Sequence, residues 1–152
     1  MIKSHALVAT ILLFFLGCTK KDDMKYSVGQ EWKYKTRQGE ENSSLKILKI
    51  EEYPTGGKVI HISMKGLKMK NPHHPEGIAD KISHVPITED ALDKSVISIK
   101  HDSRKTPDST ELDGYYYWKK EFDKGNAGVF SIPVSEIVSL MEESIVSGDF
   151  TE

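Results

Sequence analysis

Cysteine is almost missing from this chain: among 152 residues there is one, Cys18. An internal disulfide is therefore excluded, and so is any zinc site built on several thiolates. No apolar run is long enough to cross a bilayer. The longest, residues 6–17, would extend about 18 Å as a helix, against a hydrocarbon core of roughly 30 Å. Internal repeats and low-complexity tracts are lacking. So are the compact catalytic signatures: there is no His-Glu-x-x-His, no Gly-x-Ser-x-Gly elbow, no phosphate loop and no dinucleotide fingerprint. Charge of one sign is not in excess either. With a formal net charge of −2, the chain offers no support for a nucleic-acid partner.

What is present is the material of one folded domain. Hydrophobic residues make up 38% and charged residues 29%, with two Trp, six Tyr and five Phe, enough for a modest core and too apolar for a disordered chain. The length fits a single domain.

The first eighteen residues read as a processing signal. Lys3 and His5 form a short polar start, and residues 6–17 form the apolar stretch of a signal peptide. The run ends Phe15-Leu16-Gly17-Cys18, with an apolar residue three before the cysteine and a small one directly before it. This segment resembles the lipobox of bacterial lipoproteins; Phe15 replaces the usual aliphatic residue, while Gly17 and Cys18 match. The resemblance covers residues 1–18 only. It implies cleavage after Gly17, a diacylglyceryl group on the Cys18 sulfur, acylation of the new amine, and attachment to a bacterial membrane through these chains. Several acyl chains make release slow, because each buried methylene contributes about 0.8 kcal/mol. Thr19 follows where an Asp would favour inner-membrane retention in enteric lipoproteins, so the outer membrane is the expected location. Lys20-Lys21-Asp22-Asp23 resembles the charged tract of some surface lipoproteins and equally suits a solvated tether, leaving periplasmic and surface facing both open.

The expected layout is thus a cleaved signal peptide at 1–17, a lipidated tether at 18–25, one domain at 26–148 and a tail at 149–152. The domain begins with strands. Trp32, Tyr34 and Thr36 alternate with Glu31, Lys33, Lys35 and Arg37, the period of a half-buried strand. A second strand carries Leu45, Ile47, Leu48 and Ile50, and its change of phase between Ile47 and Leu48 predicts a bulge. Pro54-Thr55-Gly56-Gly57 closes a hairpin to a third strand with Ile60, Ile62 and Met64 on one face and His61 and Ser63 on the other. Gly66 precedes a second phase change, at Leu67 and Met69, and marks another bulge or a break. After the loop 71–77, a short strand ending at Val85 is expected. Thr88 caps a helix predicted to run through Leu92, Val96 and Ile99 to about Lys100. Asp113 caps a second helix with Tyr115, Trp118 and Phe122 on one face, closed by Gly125. Residues 128–132 read as an added strand, and Pro133 opens a third helix that ends before Gly148. The predicted class is α+β: an N-terminal antiparallel β-meander packed on one face by C-terminal helices, in a single two-layer domain.

Candidate chemistry is sparse. Six histidines invite a metal reading, with His73-His74 and His84 or His101 as candidate ligands, but their spacing matches no metal motif, so neither a metal nor another cofactor is expected. Ser43-Ser44-Leu45-Lys46 satisfies a bare Ser-x-x-Lys pattern but begins a strand beside a turn, the wrong setting for that nucleophile. Tyr115-Tyr116-Tyr117-Trp118 is the densest aromatic stretch, either a core stripe or a stacking platform.

Charge is more informative. Residues 19–70 hold twelve Lys/Arg against seven Asp/Glu, a balance of +5, and residues 71–152 hold eight against sixteen, a balance of −8. The strand half is basic. Lys33, Lys35 and Arg37, with Lys46, Lys49, Lys65 or Lys68 as additions, form a candidate face for an anionic envelope component or protein. The expected function is a membrane-anchored, non-enzymatic binding domain of the bacterial envelope. The alternative is a small envelope hydrolase or inhibitor whose site forms from loops 71–87 and 101–113.

Overall fold

A computed structural model describes residues 25–54 and 56–148. Cleavage at Gly17, lipidation of Cys18, the tether up to residue 24 and the tail at 149–152 lie outside the described residues. Five strands and three helices follow in the order β1 (Gln30–Tyr34), β2 (Ser44–Tyr53), β3 (Gly57–Lys70), β4 (Ile78–Thr88), α1 (Glu89–Ser95), β5 (Val96–Asp102), α2 (Asp113–Phe122) and α3 (Val134–Ser147). The strands form one antiparallel sheet in the order β4-β3-β2-β1-β5. The fold is a single α+β domain, and its first four strands are the expected meander. Among the described residues no helix is long and apolar enough to cross a membrane.

The main core lies on one face, here called inner, where Trp32, Tyr34, Leu45, Ile47, Ile60, Ile62, Met64, Val85 and Ile87 meet Leu92 of α1 and Val134, Ile137 and Val138 of α3. Both expected bulges are present and both serve this face. The register between β2 and β3 slips between Ile47 and Lys49, so Leu48 is absorbed and Ile50 returns to the core side. That slip also sends Lys49 and Glu51 to the opposite, outer face, because alternation resumes after the extra residue. On β3, the slip between Lys65 and Met69 spans Gly66, whose φ of +76° lies in the left-handed region that favours glycine. It turns Leu67 and Met69 back into the core.

Three expectations are corrected. The helix opened by Thr88 does not continue to Lys100: it stops at Ser95, and the β-branched run Val96-Ile97-Ser98-Ile99 becomes β5, paired with β1. Pairing satisfies the backbone groups along the open side of β1, which outweighs the helical spacing of Leu92, Val96 and Ile99. The strand after the 71–77 loop is longer than expected, running through Pro86 to Thr88. Proline is tolerated there because β4 is a sheet edge. Finally, the added strand at 128–132 reduces to one bridge, Phe130 to Ile87.

The expectation that the helices pack on one face of the sheet is corrected as well: they divide between the faces. α1 and α3 pack on the inner side, while α2 lies on the outer side, where Tyr115 and Trp118 meet Val59 in a second apolar cluster. Asp113 is the first residue of α2 and Leu112 takes the cap position without a side-chain hydrogen bond. α3 matches its expected limits, with Pro133 before it and Gly148 in the left-handed region after it.

Candidate functional site

The outer face carries the polar chemistry of the domain. Past the Leu48 bulge, β2 presents Lys49, Glu51 and Tyr53 outward, and β3 presents Val59 and His61 beside them. A third register slip, between Ile62 and Met64 opposite Val85 and Ile82, leaves one extra residue on β4 and turns both Ser83 and His84 outward. α2 is laid over this patch closely enough that a Cβ at Gly114 would meet the Cβ of His84 at 2.5 Å. Glycine is required at that contact.

Beneath α2 the two histidines and a carboxylate form a chain of hydrogen bonds. Glu51 Oε2 lies 3.1 Å from His61 Nε2, and His61 Nδ1 lies 3.0 Å from His84 Nε2. Glu51 also accepts from the Tyr115 hydroxyl at 3.0 Å and from the Tyr53 hydroxyl at 3.1 Å. The imidazoles stack at 15° with centroids 5.2 Å apart, and Tyr115 and Trp118 meet the His61 ring edge-on. His61 is fully buried, and among the described residues no buried side-chain nitrogen or oxygen lacks a partner. Burial pushes His61 down from the usual histidine value to about 4; Glu51 pulls the other way without prevailing, and Lys49 adds to the depression. Burial also pushes His84 to about 4, helped by His61. Both rings are therefore neutral at neutral pH. Burial pushes the Tyr115 hydroxyl upward as well, reinforced by its bond to Glu51, and it stays a donor.

Polarity then assigns the tautomers. A carboxylate only accepts, so His61 carries its proton on Nε2 and accepts at Nδ1. His84 must donate from Nε2, which leaves its Nδ1 as a bare lone pair. No group among the described residues hydrogen-bonds that nitrogen. His84 lines a cavity of about 430 Å³ whose other walls are Pro86, Trp118, Gly128, Val129 and Phe130. Such a volume lies in the range of small-molecule sites.

Elsewhere on the outer face the segment 103–112 walls two adjoining hollows, of about 260 and 390 Å³, that share Ser63, Met64, Lys65 and Glu111. Their carboxylates are paired within the domain. Glu31 accepts from Ser44 and from Lys65 at 3.0 Å and lies 3.4 Å from Lys100. Burial opposes its ionisation, but these donors outweigh burial and hold its carboxyl at about 2. Lys46 pairs with Glu111.

The residues singled out by sequence scatter. Lys33 is exposed on the outer face, whereas Lys35, just past the strand, donates to the Lys94 carbonyl at 2.9 Å. Arg37 bridges Glu40 at 2.7 Å and Glu142 of α3 at 2.5 Å. Its charge is spent on the fold, and the three do not form one open face. His73 and His74 sit exposed in the loop after β3, away from the His61–His84 pair, and His101 is exposed on β5. No cluster of three His, Cys, Asp or Glu suited to a metal ion occurs among the described residues. Of the aromatic stretch, Tyr115 and Trp118 are core, while Tyr116 and Tyr117 are exposed. Segments 71–87 and 101–113 do meet, at the hollow lined by Lys81, Ser83, Thr110 and Glu111.

Sequence reasoning missed the Glu51–His61–His84 relay. The only trace was His61 alternating away from an apolar strand face, which reads as exposure until α2 is known to cover it. No protein-family model, curated protein or solved structure was found to match this chain.

Proposed function

We propose that this chain is a bacterial envelope lipoprotein, cut after Gly17, lipidated on Cys18 and held on the outer membrane, whose domain binds an anionic envelope partner without transforming it. The anchoring half of the reading rests on the lipobox resemblance. The binding half rests on one observation: on the outer face Lys46, Lys65, Lys81 and Lys100 outnumber Glu31 and Glu111 around the two polar hollows. None of the candidate trio lines either hollow. An acidic partner gains from the excess positive potential and from the serine hydroxyls of Ser63 and Ser83.

Two measurements test the halves separately. Intact mass of the protein from a bacterial envelope should carry the added mass of acyl chains on a chain beginning at Cys18; an unmodified thiol, or a retained leader, defeats the anchor. Retention on an immobilised acidic polysaccharide should weaken with salt, and Lys65→Glu with Lys81→Glu should abolish it. Unchanged retention in that double variant defeats the anionic partner.

The histidine relay favours a second reading, a small hydrolase in which His84 Nδ1 takes a proton from water. Turnover of an activated ester above the rate given by free imidazole, lost in His84→Gln, decides for it.

A further inference from the structure

We propose that the cavity between β4, Trp118 of α2 and the segment 128–130 is a binding site for a small, uncharged aromatic molecule bearing a hydroxyl group, which it holds by a hydrogen bond from that hydroxyl to His84 Nδ1. This site is distinct from the lysine-rich hollows and does not depend on their partner.

The relay sets the polarity of the ligand. Two acceptor–donor steps run from Glu51 outward, and the first fixes the second: the carboxylate accepts from His61 Nε2, and His61 Nδ1 accepts from His84 Nε2. Tyr53 and Tyr115 also donate to Glu51, so three donors hold the carboxylate in place, and because it can only accept the chain does not reverse. His84 lines the cavity, and the one ring nitrogen it has left unbonded, Nδ1, is an acceptor. A ligand that brings only ether or carbonyl oxygen sets lone pair against lone pair, and a purely apolar ligand covers the nitrogen with no donor, a loss of the order of a hydrogen bond.

The walls set the rest. Pro86, Trp118, Val129 and Phe130 are apolar, and Gly128 has its carbonyl occupied by Trp118 Nε1 at 2.9 Å. Among the described residues no carboxylate lines the cavity, so a cationic donor finds no counter-charge, and no lysine lines it, so an anion finds none either. Metal ions are disfavoured because one imidazole nitrogen among apolar walls offers no second ligand. A flat ring can pack against Trp118 and Phe130 in the offset or edge-on manner aromatic pairs adopt. Trp118 is itself held in place by stacking on Phe122 at 26°, with centroids 4.6 Å apart. The recognition element is thus rigid on one side and polarised on the other.

The full chain should be titrated with 4-ethylphenol and with its methyl ether, 4-ethylanisole, by calorimetry, with the nitrogen resonances of His84 followed in parallel. The phenol should bind roughly fivefold or more tightly than the ether, the value of one net hydrogen bond, and should move the His84 Nδ1 resonance where the ether does not. In His84→Phe, which keeps an aromatic wall, the two probes should bind alike. Equal affinity in the native chain, a preference that survives His84→Phe, or no binding of either probe overturns the proposal. Should His84→Phe fail to fold, the Nδ1 resonance in the native chain decides alone: if it does not respond to the phenol, the site is refuted. Glu51→Gln tests the positioning role, because an amide can donate as well as accept. Mixed His84 tautomers and a reduced preference for phenol are expected, and an unchanged tautomer would show that Glu51 does not set the polarity.

Discussion

Glu51 takes three donors at once, from Tyr53, His61 and Tyr115, and it does so under a helix. Deleting it leaves a fully buried imidazole N–H and two tyrosine hydroxyls to find other partners, and an unsatisfied buried donor costs about 1–3 kcal/mol. Glu51→Ala should therefore lower the free energy of unfolding by about 2 kcal/mol or more, read from urea denaturation followed at Trp118, whereas Glu52→Ala, at the neighbouring position of β2, should change it little. Equal losses in the two would deny the network its structural role. Gly66 is the second residue on which the fold leans. A side chain there meets the Ser43 Cα at 3.2 Å on a backbone with φ of +76°, and the left-handed conformation alone costs a non-glycine residue about 1–2 kcal/mol. Gly66→Ala should destabilise by at least that amount, measured in the same way.

Element boundaries show where local and non-local forces part. Thr88 ends β4 and caps α1, its hydroxyl accepting from the Ala91 backbone N–H at 3.4 Å, and this start was legible because a cap depends on neighbours a few residues away. Thr88→Ala should cost about 1 kcal/mol, and the loss should be seen as faster amide exchange at α1 before any change in β2 or β3. The end of the same helix was not legible. Leu92, Val96 and Ile99 keep helical spacing, yet the chain after Ser95 pairs with β1, more than sixty residues earlier in the chain, where Trp32 stands opposite Ile99 and Tyr34 opposite Val96. The bulges are the contrary case. Phase changes at Leu48 and Gly66 were visible in the order of apolar residues, because an interior face must be kept continuous whatever the partner strand is.

At the scale of the whole molecule, the buried histidines tie stability to pH in a defined window. His61 and His84 have an ordinary value of 6.5 and stand at about 4 in the folded protein. Between these values the unfolded chain binds more protons than the folded one, so acidification favours unfolding. The contribution is complete above pH 6.5 and is lost as pH falls through about 4. Glu31 acts in a lower window: its stabilisation is present above 4.5 and disappears toward 2. Urea midpoints recorded from pH 7 downward should thus begin to fall near 6.5, before the carboxylates titrate, and the early fall should be absent in His61→Phe with His84→Phe. A native curve that stays flat until the carboxylate range would contradict burial of neutral imidazoles.

Sequence alone determined what depends on order and spacing: the α+β class, the meander, the two bulges, the helix starts, and the resemblance at Cys18 on which any membrane reading rests. The tertiary structure decided what depends on which faces meet. Placing α2 across the outer sheet turned His61 from a residue pointing away from the core into the buried middle of a relay, and Arg37 from a candidate binding charge into a bridge to α3. The physical reason is that hydrophobic periodicity is a local quantity, whereas burial, tautomer and ion pairing are set by groups brought together from distant parts of the chain.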